Sequence, residues 1–151
     1  MTVPEPKAFE VLLVEDNPGD VQLTREAFRE ANRSIRLHVA NDGVGGLAFL
    51  RNEGVHTMAP RPDFILLDLN LPRMSGREVL AIIKADESLR TVPTVILTTS
   101  DAEADVLMSY QLQANAYLNK PVQLEAFERL VISLVDFWMN QVKLPHQATN
   151  D

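Results

Sequence analysis

The sequence predicts an α/β domain built around an open, doubly wound parallel sheet. Three observations carry that prediction. Short runs that are apolar throughout alternate with segments of helical period along the chain. Runs apolar on both faces read as strands that must be covered on both sides. The links between them are short, and such links demand parallel pairing through right-handed crossovers.

The first unit joins a strand at Val11 to Val14 with a helix at Val21 to Ala31, where Leu23, Ala27 and Phe28 fall on one face. The second joins Ile35 to Ala40 with Val44 to Arg51. Gly45 and Gly46 inside that helix each cost about 1 kcal/mol relative to alanine, so it should be the weakest of the helices. The link Asn52 to Pro62 exceeds the usual span of about two to six residues and reads as a surface loop or an insertion. Strands at Phe64 to Leu67, Thr94 to Leu97 and Ala116 to Leu118 follow, with helices at Arg77 to Ala85, Ala102 to Leu112 and Leu124 to Met139. Asp101, Glu103 and Asp105 sit in the first turn of the fourth helix, where the macrodipole favours negative charge. The proline-containing start, residues 1–8, and the aperiodic end, residues 144–151, read as tails around a folded unit at 9–143.

Composition bounds the function. The chain has 151 residues, 46% hydrophobic and 23% charged, which is globular and sized for one domain, with no room for a separate output module. A net charge of −7 repels a phosphate backbone, so direct nucleic-acid binding is not expected. The sequence contains no cysteine, hence no disulfide framework or thiolate chemistry. No apolar run approaches the roughly 18 residues of a membrane span, and Met1 to Glu10 lacks a signal-peptide pattern. A cytoplasmic protein without membrane attachment is the expectation.

In open α/β sheets the ligand crevice lies beyond the carboxyl ends of the strands. Here the first strand ends in Glu15-Asp16, the third in Asp68, the fourth in Thr98-Thr99 and the fifth in Asn119-Lys120-Pro121. One acid after one strand would serve as a turn former or cap. Several strand ends converging on one chemistry are harder to explain that way. Carboxylates gathered at one crevice repel, and a hard divalent cation with oxygen ligands relieves the repulsion. Mg2+ keeps water positions open for a phosphoryl oxygen, and Lys120 could hold another. Asp68 could then attack phosphorus and form an aspartyl phosphate.

These residues resemble the receiver domains of two-component response regulators, with their flavodoxin-like fold, from about Phe9 to Met139. The motifs are Leu13-Val14-Glu15-Asp16-Asn17-Pro18, Ile65-Leu66-Leu67-Asp68-Leu69-Asn70-Leu71-Pro72 with Gly76 following, Val95-Ile96-Leu97-Thr98-Thr99, and Ala116-Tyr117-Leu118-Asn119-Lys120-Pro121. The resemblance implies five βα units with strands in the order 2-1-3-4-5. It implies that Asp68 accepts a phosphoryl group from a histidine kinase, making the chain a phosphorelay protein rather than a true enzyme. It places Mg2+, or Mn2+ in its stead, on Glu15, Asp16, Asp68 and the Asn70 backbone carbonyl. Lys120 is assigned to the phosphoryl group, Thr98 to a hydroxyl that moves onto it, and Tyr117 to an aromatic rotamer switch. The Lys120-Pro121 bond is implied to be cis. Pro60-Arg61-Pro62, the run Leu69 to Leu80, Phe137-Trp138 and Leu144-Pro145 further resemble the stand-alone regulators associated with bacterial phytochrome kinases. Gly45 and Gly46 depart from the Glu-Ala type start that the family often has at its second helix.

Bland readings compete residue by residue. Lys120 could snorkel beside an apolar strand, Thr98 suits any strand end, and Tyr117 could simply pack. His38, His56 and His146 share no spacing that suggests a metal or phosphohistidine site and read as solvated or packing residues. A haloacid-dehalogenase-like phosphatase would need an acid two residues after the nucleophile, where Asn70 stands. A flavin carrier would need an anion nest where Glu15-Asp16 stand, and no Gly-x-x-x-x-Gly-Lys-Ser/Thr exists for a P-loop. A phosphorylation-independent interaction module of the same fold remains as the other alternative. In the last helix Phe127, Leu130, Val131, Leu134, Val135 and Trp138 form a core stripe, while Ile132, Phe137 and Met139 lie off it. That surplus apolar surface predicts a protein interface, a homodimer or a kinase-docking face.

Overall fold

The computed structural model describes residues 8–31 and 34–145. All of the predicted tails except Ala8, Leu144 and Pro145 lie outside the described residues. The elements run β1 (Phe9–Val14), α1 (Pro18–Ala31), β2 (Ile35–Ala40), α2 (Gly43–Leu50), a 3-10 turn (Gly54–His56), β3 (Phe64–Leu67), α3 (Gly76–Ala85), β4 (Thr94–Thr98), α4 (Glu103–Gln111), β5 (Ala116–Asn119), α5 (Leu124–Asp136) and a π-turn (Phe137–Gln141). The five strands form one parallel sheet in the order β2-β1-β3-β4-β5, the predicted flavodoxin-like arrangement.

Alternation along the strands divides the core in two. Leu12, Val14, Ile65, Leu67 and Ile96 face α2 and α3, meeting Leu47, Leu50, Val79, Leu80 and Ile83. Val11, Leu13, Phe64, Leu66, Val95 and Leu97 face α1 and α5, meeting Phe28, Phe127, Val131, Leu134 and Trp138. β3 and β4 are buried at every position, which is why their sequences show apolar runs instead of alternation.

The glycines of α2 have a packing reason. A side chain at Gly46 would press a β-carbon to 3.0 Å from Val14 Cγ2, and one at Gly43 to 2.6 Å from Val79 Cγ2. Propensity is thus given up so that α2 can lie close to β1 and α3. Its start is secured by Asp42, which accepts a 2.7 Å bond from the Gly45 amide. The long link before β3 is a built loop. Asn52 Nδ2 donates to the His56 and Ala59 carbonyls at 3.1 and 2.7 Å.

The last helix departs from its expected span. It stops being α-helical at Asp136, and the Val142 amide bonds to the Phe137 carbonyl at 2.9 Å, closing a wider turn. The extra residue per turn changes which residues face out. Ile132 and Phe137 are exposed, at 44% and 53%, but Met139 turns back and packs on the inner cluster with Val142 and Leu144. Met139 therefore does not belong to the exposed surplus the sequence suggested. Trp138 stacks on Phe64 with ring centroids 5.7 Å apart, as a core residue should.

Toward the amino ends of β1 and β2 a carboxylate is buried among polar partners. Glu10 is only 2% exposed, and its carboxylate accepts from Arg36 Nε at 2.6 Å and lies 2.9 Å from His38 Nε2. The Glu10 amide donates to Asp63 Oδ2 at 2.8 Å. His38 thus has a specific partner that its sequence surroundings did not reveal.

Candidate functional site

Register alone brings the predicted residues to one edge. The Glu15 amide bonds to the Ala40 carbonyl at 3.0 Å, the Asp68 amide to Val14 at 3.1 Å and the Lys120 amide to Thr98 at 2.8 Å. Three strand ends are therefore locked together just past the last ladder bonds. Gly76 fits its partner turn beneath Asp68, since a β-carbon there would lie 2.0 Å from the Asp68 carbonyl oxygen. Only glycine lets α3 begin so close to the backbone that carries the acid. Ser75 caps that helix by accepting from the Glu78 amide at 3.3 Å.

Glu15 and Asp68 are buried, at 2% and 5% exposure. Together with the exposed Asp16, their carboxylates offer three oxygens that all lie within 4.8 Å of one another. This is an all-oxygen, anionic donor set, the chemistry a hard divalent cation requires. The acidic cluster is compatible with divalent metal binding.

Lys120 sits against these acids with a side chain only 7% exposed. Its ammonium donates to Glu15, to Asp68 Oδ2 at 3.0 Å and to Asp20 Oδ2 at 2.9 Å. The Lys120-Pro121 peptide is trans, against the implied cis bond, because no cis peptide occurs among the described residues. The lysine needs no such bond to enter the crevice: the Thr98 carbonyl anchors its backbone, and the long side chain spans the rest.

The acids differ in their affinity for protons. Burial, the largest influence, pushes Glu15 up to about 7; the charge of Asp68 adds to it, while Lys120 and the Asn17 amide oppose it. Burial also acts to raise Asp68, but the Asn70 amide, Lys120 and the Thr98 hydroxyl outweigh it and hold that carboxyl below its ordinary value. Asp68 is thus kept anionic beside an acid that readily takes a proton.

Asn70 occupies the position where a phosphatase would carry an acid. Its amide nitrogen in the backbone donates to Asp68 Oδ1 at 3.0 Å, and its side chain donates to Thr98 Oγ1 at 3.3 Å. A carboxamide cannot act as general acid and base, so the phosphatase alternative lacks its second group. Tyr117 lies opposite Ile96 across the β4–β5 pair, and its hydroxyl donates to the Ser100 carbonyl at 2.8 Å. Asn119 Nδ2 reaches the same carbonyl at 2.7 Å, so the turn after Thr98 is tied to β5 by two side chains.

One residue of the crevice escaped the sequence reading. Asp20 is the third residue of α1, where a first-turn acid is already explained by the helix dipole. Nothing in the local sequence signals its bond to a lysine 100 positions away.

Known proteins are similar to this chain in sequence and fold. A family model described as response regulator receiver domain matches residues 11–132. Response regulator Rcp1 of Synechocystis sp. is 43% identical over 135 residues, covering 89% of this chain and 92% of its own. The crystal structure of the phosphorylated cyanobacterial phytochrome response regulator RcpA aligns with a TM-score of 0.89 at 41% identity, over 92% of this chain and 99% of its own. The Mn2+-bound form of Rcp1 aligns at 0.86 and 42%, over 93% and 100% of the two chains.

Proposed function

The chain belongs to the response regulator receiver family, and from that premise we propose that it accepts a phosphoryl group from a histidine kinase on Asp68. The carrying observation is the juxtaposition of a buried, anionic Asp68 with the Lys120 ammonium at 3.0 Å and with the carboxylates of Glu15 and Asp16. In the reaction a carboxylate oxygen of Asp68 forms a bond to phosphorus as the bond from phosphorus to the kinase imidazole nitrogen breaks, and the electron pair leaves with that nitrogen. Mg2+ held by Glu15, Asp16, Asp68 and the Asn70 carbonyl would neutralise charge on the transferring oxygens, and Mn2+ can stand in the same oxygen set. Asp68 supplies the nucleophile, kept unprotonated by its donors. Lys120 pairs with a phosphoryl oxygen, and the Thr98 hydroxyl turns from Asn70 to the new group.

Phosphorylation adds about −1.5 to −2 charges at one strand end. Drawing Thr98 toward that charge moves the turn that Tyr117 and Asn119 hold through Ser100, and the change reaches the surface formed by α4, β5 and α5. Similarity to the phytochrome response regulator RcpA supports a phytochrome kinase as the donor. No helix among the described residues is long and apolar enough to cross a membrane. Residues 9–143 form the receiver unit. The exposed Ile132 and Phe137 on α5 and its π-turn are the proposed contacts of a homodimer. Serine at Phe137 should release monomers in light scattering, and a monomer at every concentration in wild type would reject the dimer.

The phosphoacceptor reading is tested by incubating the protein with Mg2+ and acetyl phosphate and recording intact mass. One added phosphoryl group is expected. Equal uptake by Asp68→Asn would overturn the assignment.

A further inference from the structure

We infer that Asp20 is a positioning residue for Lys120, holding its ammonium in the crevice when a divalent cation draws away the other two carboxylates. The inference rests on the phosphoacceptor reading only for its role in the reaction; the tether itself is a matter of geometry. The three protons of the ammonium are directed at Glu15, Asp20 and Asp68. Two of these acids, Glu15 and Asp68, belong to the group whose oxygens converge with Asp16 to within 4.8 Å, and Asp20 does not. A cation seated in that group would take the negative charge that Lys120 shares there and would itself repel the ammonium. Asp20 alone would then remain as the lysine's own counter-charge.

The lysine has somewhere to go if that tether is missing. A cavity of about 320 Å³ opens beside it, lined by Asp20, Leu23, Thr99, Val122, Leu124 and Phe127. Asp20 is well fixed to prevent such an excursion. Its amide bonds to Asn17 Oδ1 at 3.1 Å, and its carbonyl accepts from the Thr24 hydroxyl at 2.7 Å, so the helix start sets its place. A first-turn acid serves the helix dipole in any rotamer that stays near the amides. The dipole does not account for a carboxylate turned to a buried lysine at 2.9 Å, with only 29% of its side chain exposed.

The consequence for phosphoryl transfer is that Asp20 keeps a cation ready at the phosphoryl site without ligating the metal. In Asp20→Asn, uptake from acetyl phosphate with Mg2+ should slow on the order of ten-fold, and Asp20→Glu should recover part of the rate. In a Lys120→Met background the Asp20→Asn change should have no further effect. A further, additive loss there would mean that Asp20 acts on the metal or the fold directly, and would overturn the inference.

A second measurement needs no phosphoryl transfer. The Lys120 ammonium, sheltered from water by its acids, should give a slowly exchanging proton-nitrogen NMR signal, identified by its absence in Lys120→Met. Wild type should keep the signal with and without Mg2+, whereas Asp20→Asn should keep it in chelator and lose it on adding Mg2+. Persistence in Asp20→Asn with Mg2+, or loss from wild type with Mg2+, would overturn the inference. A wild type that takes up no phosphoryl group yet shows this ammonium pattern would instead refute the phosphoacceptor reading and leave the tether standing.

Discussion

Buried carboxylates occur at both ends of the sheet, and they are arranged to opposite effect. At the amino end, Glu10 has one oxygen bonded to Arg36 and the other 2.9 Å from His38, so acid and base are matched and each carboxylate oxygen has a partner. At the carboxyl end, Glu15, Asp16, Asp20 and Asp68 gather around Lys120, the cation that three of them share. The first cluster is complete and holds β1 to β2. The second has more negative charge than its shared lysine balances, with three carboxylate oxygens within 4.8 Å of one another. Burial of an acid is therefore not the mark of a site; an acid surplus at strand ends that converge is.

Breaking one cluster at a time separates the two roles. The largest effect should come from Asp68→Asn, which is expected to abolish phosphoryl uptake seen by intact mass with little loss of folding. Glu10→Gln should do the reverse, retaining uptake while lowering stability by about 1–3 kcal/mol in urea melts. Loss of uptake in Glu10→Gln would erase the contrast.

A smaller effect is expected with pH. Glu15 binds a proton more readily in the folded chain, at about 7 instead of its ordinary 4.5, so the metal-free protein loses stability as pH rises between those values. Asp68, held below its ordinary value, works the other way and only in more acidic solution. In chelator, Glu15→Gln should therefore gain on wild type between pH 5 and pH 8, by on the order of 2 kcal/mol in paired melts. A constant difference across that range would mean the crevice is as well balanced as the opposite end.

The smallest effect is the response to Mg2+ itself. At ten times its dissociation constant the ion should stabilise wild type by about 1.4 kcal/mol, and Glu10→Gln equally. Asp16→Asn should lose most of that gain in thermal melts. Because Glu15 must shed its proton to bind, the gain should weaken as pH falls below about 7.

The strands were legible because burial on both faces leaves continuous apolar runs, as in Phe64-Ile65-Leu66-Leu67 and Thr94 to Leu97. Glu15, Asp16, Asp68, Thr98 and Lys120 were legible because each lies at or just past the carboxyl end of a strand, and parallel register then carries them to one edge. Asp20 was hidden because it follows no strand and lies just before the expected helix start at Val21, and Glu10 by its place within a strand whose partners come from β2. The wider turn at Phe137 was hidden as well: hydrophobic spacing assumes a constant 3.6 residues per turn, and past Asp136 the partly buried Met139 packs against the inner cluster instead of facing out. Gly45 and Gly46 were read through propensity, whereas at Gly46 close packing against Val14 decides the residue.

If Asp68 is the phosphoryl acceptor, as proposed, its acyl phosphate can be located directly. After reaction with acetyl phosphate and Mg2+, borohydride reduction followed by peptide mass spectrometry should find the reduced residue at position 68 and nowhere else, with none formed in chelator. Reduction at another carboxylate, or equal labelling with and without the metal, would contradict it.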